Sequence, residues 1–115
     1  MAIDKSLIAG STAILVLKLL EEGDLYGYQM IETLALRSDD TFQLKAGTLY
    51  PLLHSLEADG AVVSYEQKAD SERVRKYYHL TERGKKLLRQ KEKEWEQYSS
   101  AVNKVLKGGA GYAFS

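Results

Sequence analysis

The chain of 115 residues carries 16 basic and 16 acidic side chains, two histidines and no cysteine. This length fits one domain with a modest core, and the lack of cysteine excludes a disulfide framework or a thiolate metal site. His54 and His79 lie far apart with no acidic cluster beside them, so no metal and no cofactor are expected.

The N-terminus lacks a signal-peptide pattern, and the apolar run from Ala13 to Leu20 is interrupted by Lys18 and too short to span a bilayer. A soluble cytoplasmic protein without a membrane partner is the expectation. Ser6 to Glu22 reads as a helix stopped by Gly23. Its apolar residues, Leu7 and Ile14 among them, cover much of the circumference, so both a core and a partner chain are expected to bury it. A second helix is predicted from about Leu25 to Arg37, with Tyr28, Ile31 and Leu34 on one stripe, followed by the polar turn Ser38–Thr41.

The third helix is predicted over Ala46–Ala58. Leu49, Leu52, Leu53 and Leu56 repeat at the spacing of one helical face. Pro51 sits near enough to the start to cost only a slight kink, and Lys45 is a poor N-cap. After Gly60 the pattern changes to an apolar strand beginning at Val62-Val63, a charged turn and a second strand, Val74–Leu80. In that second strand Tyr77 and Tyr78 must point to opposite faces.

Thr81 then suits the N-cap of a last helix running to about Lys107, with Gly108-Gly109 as its stop. Leu88, Trp95 and Val102 are spaced seven apart, as are Tyr98 and Val105. A small domain can hardly cover such a partial heptad seam along its whole length, so a homodimer is expected. The predicted fold class is mainly α with a small β-hairpin. It comprises a winged helix-turn-helix domain over 1–80, a C-terminal dimerisation helix over 81–107 and a flexible tail over 108–115.

With the leucine stripe inward, Gly47, Thr48, Tyr50, Pro51, His54 and Ser55 face out from the third helix, behind Lys45. Thr48, His54 and Ser55 can donate to base edges or phosphate oxygens, and the Tyr50 hydroxyl can reach phosphate. The net charge is zero, but phosphate attraction is local, and bases gather at Lys68, Arg73, Arg75 and Lys76 in the hairpin. Those bases suit a wing that grips backbone or a minor groove. The plainer readings are an ordinary solvated helix face and lysines that block edge pairing.

These residues also carry a family resemblance. Tyr26-Gly27-Tyr28-Gln29-Met30-Ile31, Gly47-Thr48-Leu49-Tyr50-Pro51-Leu52-Leu53, Leu56-Glu57-Ala58-Asp59-Gly60 and Arg75-Lys76-Tyr77-Tyr78-His79-Leu80-Thr81-Glu82-Arg83-Gly84 occur in this order and resemble the PadR-like transcriptional regulators. The match extends to about Leu106. A single C-terminal helix makes the chain similar to the short subfamily. The resemblance implies a winged-helix repressor, dimeric through its first and last helices, that binds a double-stranded DNA operator and leaves it when a small ligand binds or conditions change.

Some short members sense multiple drugs and carry a tryptophan at the place of Trp95, where the two tryptophans of a dimer sandwich planar aromatic compounds. The resemblance therefore implies a planar aromatic inducer at Trp95; a seam residue is the plainer reading. The wing turn Ala69-Asp70-Ser71-Glu72 departs from the family pattern in being acidic and lacking glycine. The competing function is a winged-helix protein-interaction module without specific DNA binding, which the neutral charge favours. With no nucleophile–base pair, paired carboxylates or phosphate loop in the sequence, an enzyme is not expected.

Overall fold

The computed structural model describes residues 3–69 and 72–112; the wing-turn residues Asp70 and Ser71 and the last tail positions, 113–115, lie outside them. In chain order the elements are α1 (Lys5–Glu22), β1 (Leu25–Tyr26), α2 (Gly27–Arg37), α3 (Ala46–Ala58), β2 (Val62–Lys68), β3 (Val74–Leu80) and α4 (Glu82–Tyr112). The strands form one antiparallel sheet in the order β1-β3-β2. Among the described residues no helix is long and apolar enough to cross a membrane.

Helix α1 starts where the Asp4 carboxylate accepts from the Ser6 N–H at 2.9 Å and ends at Gly23, as the turn chemistry requires. The first departure from expectation follows at once. Leu25 and Tyr26 are not helical but pair with Tyr78 and Tyr77 of β3. Their extended backbone bonds to a strand fifty residues downstream, a partner that no local periodicity reveals. Helix α2 therefore begins at Gly27, and Gln29 Oε1 accepts from the Tyr26 N–H at 3.1 Å. Its buried residues are Gly27, Met30 and Leu34; of the stripe Tyr28, Ile31 and Leu34, Ile31 packs partly against the core and Tyr28 is exposed.

Helix α3 has the predicted bounds and buries Leu49, Leu53 and Leu56, with Pro51 accommodated inside. These leucines meet Val16, Leu17 and Leu20 of α1, Met30 of α2 and Val62, Tyr78 and Leu80 of the sheet in a single core. Thr81 performs the expected capping: its Oγ1 accepts from the Gly84 N–H at 3.0 Å while donating to the Gly60 carbonyl at 2.6 Å. The first turn of α4 is thereby fixed to the start of the wing. Gly84 is required there, since a Cβ would lie 2.1 Å from the Ala61 carbonyl oxygen.

Leu88, assigned from its spacing to the dimer seam, is fully buried in the chain's own core. The first turns of α4 still pack on α1 and the sheet, and seven-residue spacing cannot distinguish an internal partner from an external one. The second correction concerns the end of this helix. Gly108-Gly109 does not stop it, and α4 continues to Tyr112 over 31 residues. Glycine inside a helix costs ~1 kcal/mol relative to alanine, a penalty a long helix tolerates. Beyond about Lys93 most of α4 projects from the body, giving a molecule 65 Å in its longest dimension.

Candidate nucleic-acid interface and the apolar helix face

With its leucines buried, α3 exposes Gly47, Thr48, Tyr50, Pro51, His54 and Ser55, and Lys45 is exposed just before it. The Lys45 side chain makes no cap; its carbonyl accepts from the Thr48 and Leu49 N–H groups. Tyr50 is anchored as well as exposed. Its ring lies on Gly27 so closely that a Cβ there would come within 2.2 Å of the hydroxyl oxygen. The two glycine-tyrosine segments are thus one contact, which sets α3 against the start of α2.

The hairpin separates the expected wing bases. Lys68, Val74 and Lys76 share the face of Val62 and Tyr78, the side on which α3 packs, and Lys76 Nζ reaches 5.8 Å from the Tyr78 ring centroid. Arg73 is exposed at the wing tip. Arg75 lies on the opposite face, half-buried, with its guanidinium 5.0 Å above the Tyr26 ring and its Nε buried without a partner. Tyr26, Tyr77 and Tyr65 continue this outer face as an aromatic row. The first pair meets edge-on at 5.3 Å and the second is stacked at 5.6 Å. Lys76 and Lys68 therefore lie on the sheet face that carries Tyr78, with Glu66 opposite Lys76, while Arg75 lies on the face of the aromatic row.

Asp24 was missed by sequence reasoning. It occupies the α1–β1 link, accepts from the Tyr65 hydroxyl at 2.7 Å and lies 2.8 Å from His79 Nδ1. Partial burial, the largest single influence on its carboxyl, raises the pKa. The hydrogen bonds from Tyr65 and His79 and the His79 charge together outweigh it and hold the group below the usual carboxylate range. The same hydrogen bond pushes the Tyr65 phenol up. No motif spacing exposes such a triad, whose members come from three separate segments.

On the other side of the molecule, Leu7 of α1 and Trp95, Tyr98 and Val105 of α4 are exposed, and Ile14 and Val102 are half-buried. Trp95 and Tyr98 lie 6.3 Å apart between ring centroids. Two grooves flank Trp95. One, of about 330 Å³, runs along Leu7, Gly10 and Tyr98. The other, of about 440 Å³, is walled by Ile14, Leu15 and Phe42. An ion chain joins the helices beside it: Lys18 to Glu21 at 3.0 Å, Glu21 to Arg89, and Arg89 to Glu92.

A three-helix core, a hairpin placed directly after an outward-facing third helix and a projecting fourth helix define a winged helix-turn-helix regulator. Residues 16–90 match the transcriptional regulator PadR-like family, and the chain belongs to that family. It is similar to an uncharacterized protein of Lysinibacillus sphaericus, with 30% identity over 102 residues covering 89% of this chain and 94% of that protein. A transcriptional regulator structure from Clostridium thermocellum is 34% identical with a TM-score of 0.81, over 89% of this chain and 99% of the other. A PadR family transcriptional regulator from Eggerthella lenta is 36% identical with a TM-score of 0.77, over 89% and 87% of the respective chains.

Proposed function

We propose that this regulator is a repressor that binds an inverted-repeat operator as a homodimer and leaves it when a planar aromatic inducer binds beside Trp95. The observation that carries the DNA reading is the exposed face of α3. Thr48, Tyr50, His54 and Ser55 offer donors and acceptors without a lysine or glutamate among them, Lys45 directly precedes the helix, and Lys68 and Lys76 share the sheet face of Val62 and Tyr78. Groove readout needs short polar groups at the centre and cations where the phosphates pass. Half-sites are expected one helical turn, ~34–36 Å, or a multiple apart.

The apolar side chains left exposed on α1 and α4 support the homodimer, because a helix face of this kind is ordinarily covered. Trp95 supports the inducer: a large, half-exposed ring stacks on flat molecules without demanding a specific hydrogen-bond pattern. The repressor sense follows the family resemblance. A footprint on duplex DNA from upstream of its own gene, at moderate salt, tests the reading. The expected result is protection of two symmetric half-sites, and binding no tighter than to unrelated duplex would refute it. The zero net charge favours a second reading, a protein-docking module, which that negative result would leave in place.

A further inference from the structure

The formal charge of zero hides an uneven distribution. Residues 1–80, which hold the proposed reading face, carry eight bases against twelve acids, whereas α4 carries eight bases against four acids. Attraction for a polyanion therefore centres on the fourth helix and not on the head. Within α4 the bases are sorted further. Lys86, Lys93, Ser100 and Lys107 recur every seven residues, and Gln90, Gln97 and Lys104 form an adjacent row of the same period. All seven are exposed. At ~100° per residue they lie on the side of the helix away from Trp95 and Val102, so the proposed dimer seam leaves them open. Among the described residues, the ion pairs of α4 join Lys85 to Glu82 and Arg89 to Glu21 and Glu92, and none engages these four lysines. Glu94, at one border, accepts from Gln90 at 3.2 Å, and Glu96 lies at the other.

We infer that this stripe is a sequence-independent contact for the phosphate backbone of a second DNA duplex, apart from the one read by α3. The inference rests on the operator reading of α3 and adds a second DNA surface to the chain. Phosphate oxygens need only cations and amide or hydroxyl donors, and the two rows supply lysine, glutamine and serine without a carboxylate. An anionic membrane calls for an apolar face beside the bases, and a protein partner for an apolar or aromatic centre. A single strand needs aromatic rings on which its bases stack. The rows contain none of these. From Lys86 to Lys107 the stripe runs ~32 Å at ~1.5 Å per residue, close to one turn of a duplex, ~34 Å. Helix α4 packs on α1 and β3, whereas α3 packs on α2 and β2 with its polar face turned out. The head between the two surfaces is net acidic, which opposes the wrapping of one duplex from α3 to α4.

The test uses the full chain bound to its operator duplex on beads, and a labelled duplex of unrelated sequence in solution. Operator-bound wild type should capture the unrelated duplex, with an affinity that falls steeply as salt rises. The triple variant Lys86→Gln, Lys93→Gln, Lys104→Gln removes three charges and keeps residues that favour a helix. It should weaken capture about tenfold at moderate salt and lower the salt slope by about 0.9 for each lysine lost. Operator affinity and circular dichroism should stay as in wild type. The triple variant with arginine at the same positions keeps the charge and should capture as wild type does.

Unchanged capture by the glutamine variant would place the second duplex elsewhere, the other head of the dimer included, and overturns the proposal. So does an operator-bound wild type that captures nothing, a result that leaves the operator reading standing. If wild type captures nothing and the glutamine variant loses operator affinity, the stripe touches DNA flanking the same operator, and the second duplex is refuted. Tighter binding to phosphatidylglycerol vesicles or to poly-glutamate than to the duplex would assign the stripe to a membrane or an acidic protein, which also overturns the proposal. Loss of the operator footprint alone, with lysine-dependent binding of the unrelated duplex retained, refutes the operator reading and keeps α4 as a DNA contact.

Discussion

Gly27 and Gly84 are both glycines because another group occupies the place of a side chain, yet the two should respond differently to alanine. At Gly84 the obstacle is the Ala61 backbone carbonyl at 2.1 Å, with Leu80 Cδ1 at 2.5 Å, and the backbone cannot move without parting α4 from the wing. Gly84→Ala should cost about 2–3 kcal/mol of unfolding free energy, measured by urea titration. At Gly27 the obstacle is the far end of the Tyr50 ring, which can swing away. Gly27→Ala should therefore keep the fold and weaken operator binding. Tyr50→Ala in that background should recover the stability lost, a coupling that a double-mutant cycle reads directly. Lys76 and Arg75 form a second contrasting pair. Lys76→Ala should lower the salt slope of DNA binding by about one phosphate contact. Arg75→Ala should leave that slope unchanged and lower stability, because its guanidinium covers Tyr26 and not the helical face. The aromatic neighbours of Arg75 were invisible in the sequence, where it stands beside Lys76 in an apparently uniform basic run.

Among the elements, the helices and the hairpin were legible because each carries its own period: the leucines of α3, the alternation of β3, the capping Thr81. Strand β1 was not, since two residues have no period and exist as a strand only through Tyr77 and Tyr78. The stripe of α2 holds for Ile31 and Leu34 and fails at Tyr28 for a related reason. Tyr28 looks like a core residue until Gly27 is seen beneath Tyr50. Asp24 links these elements, tying the end of α1 to both long strands. Its carboxyl lies below the ordinary range in the folded chain, so its contribution to stability is fully present above its unfolded value, ~4, and is lost as pH falls through the lower folded value. Acid titration of Asp24→Asn by circular dichroism should give a shallower loss of stability below pH ~4 than wild type. Equal acid limbs would mean that the carboxylate does not tie these strands in solution.

At the scale of the whole molecule, the apolar side chains of α4 divide between the chain's own core and the face left open. Leu88→Asp puts an unpaired charge into a fully buried position and should unfold the chain. Val105→Asp and Tyr98→Asp alter exposed positions and should give folded monomers by sedimentation, with native circular dichroism. A dimer persisting in both would remove α4 from the proposed interface. The heptad spacing joined these residues into one seam; only the packing of the first turns of α4 on α1 separates Leu88 from the rest. The length of α4 has a mechanical consequence. From Arg89, where the ion chain holds it to α1, the helix extends a further ~35 Å to Tyr112 at ~1.5 Å per residue. That makes Arg89 a fulcrum, and a tilt of ~5° there moves the far end by ~3 Å on a rigid rod of this rise. In the proposed dimer, where the far arms are clasped, the same tilt swings the two heads instead. Their separation must match the helical repeat of DNA, so a rearrangement too slight to disturb either core can take both heads out of step with successive grooves.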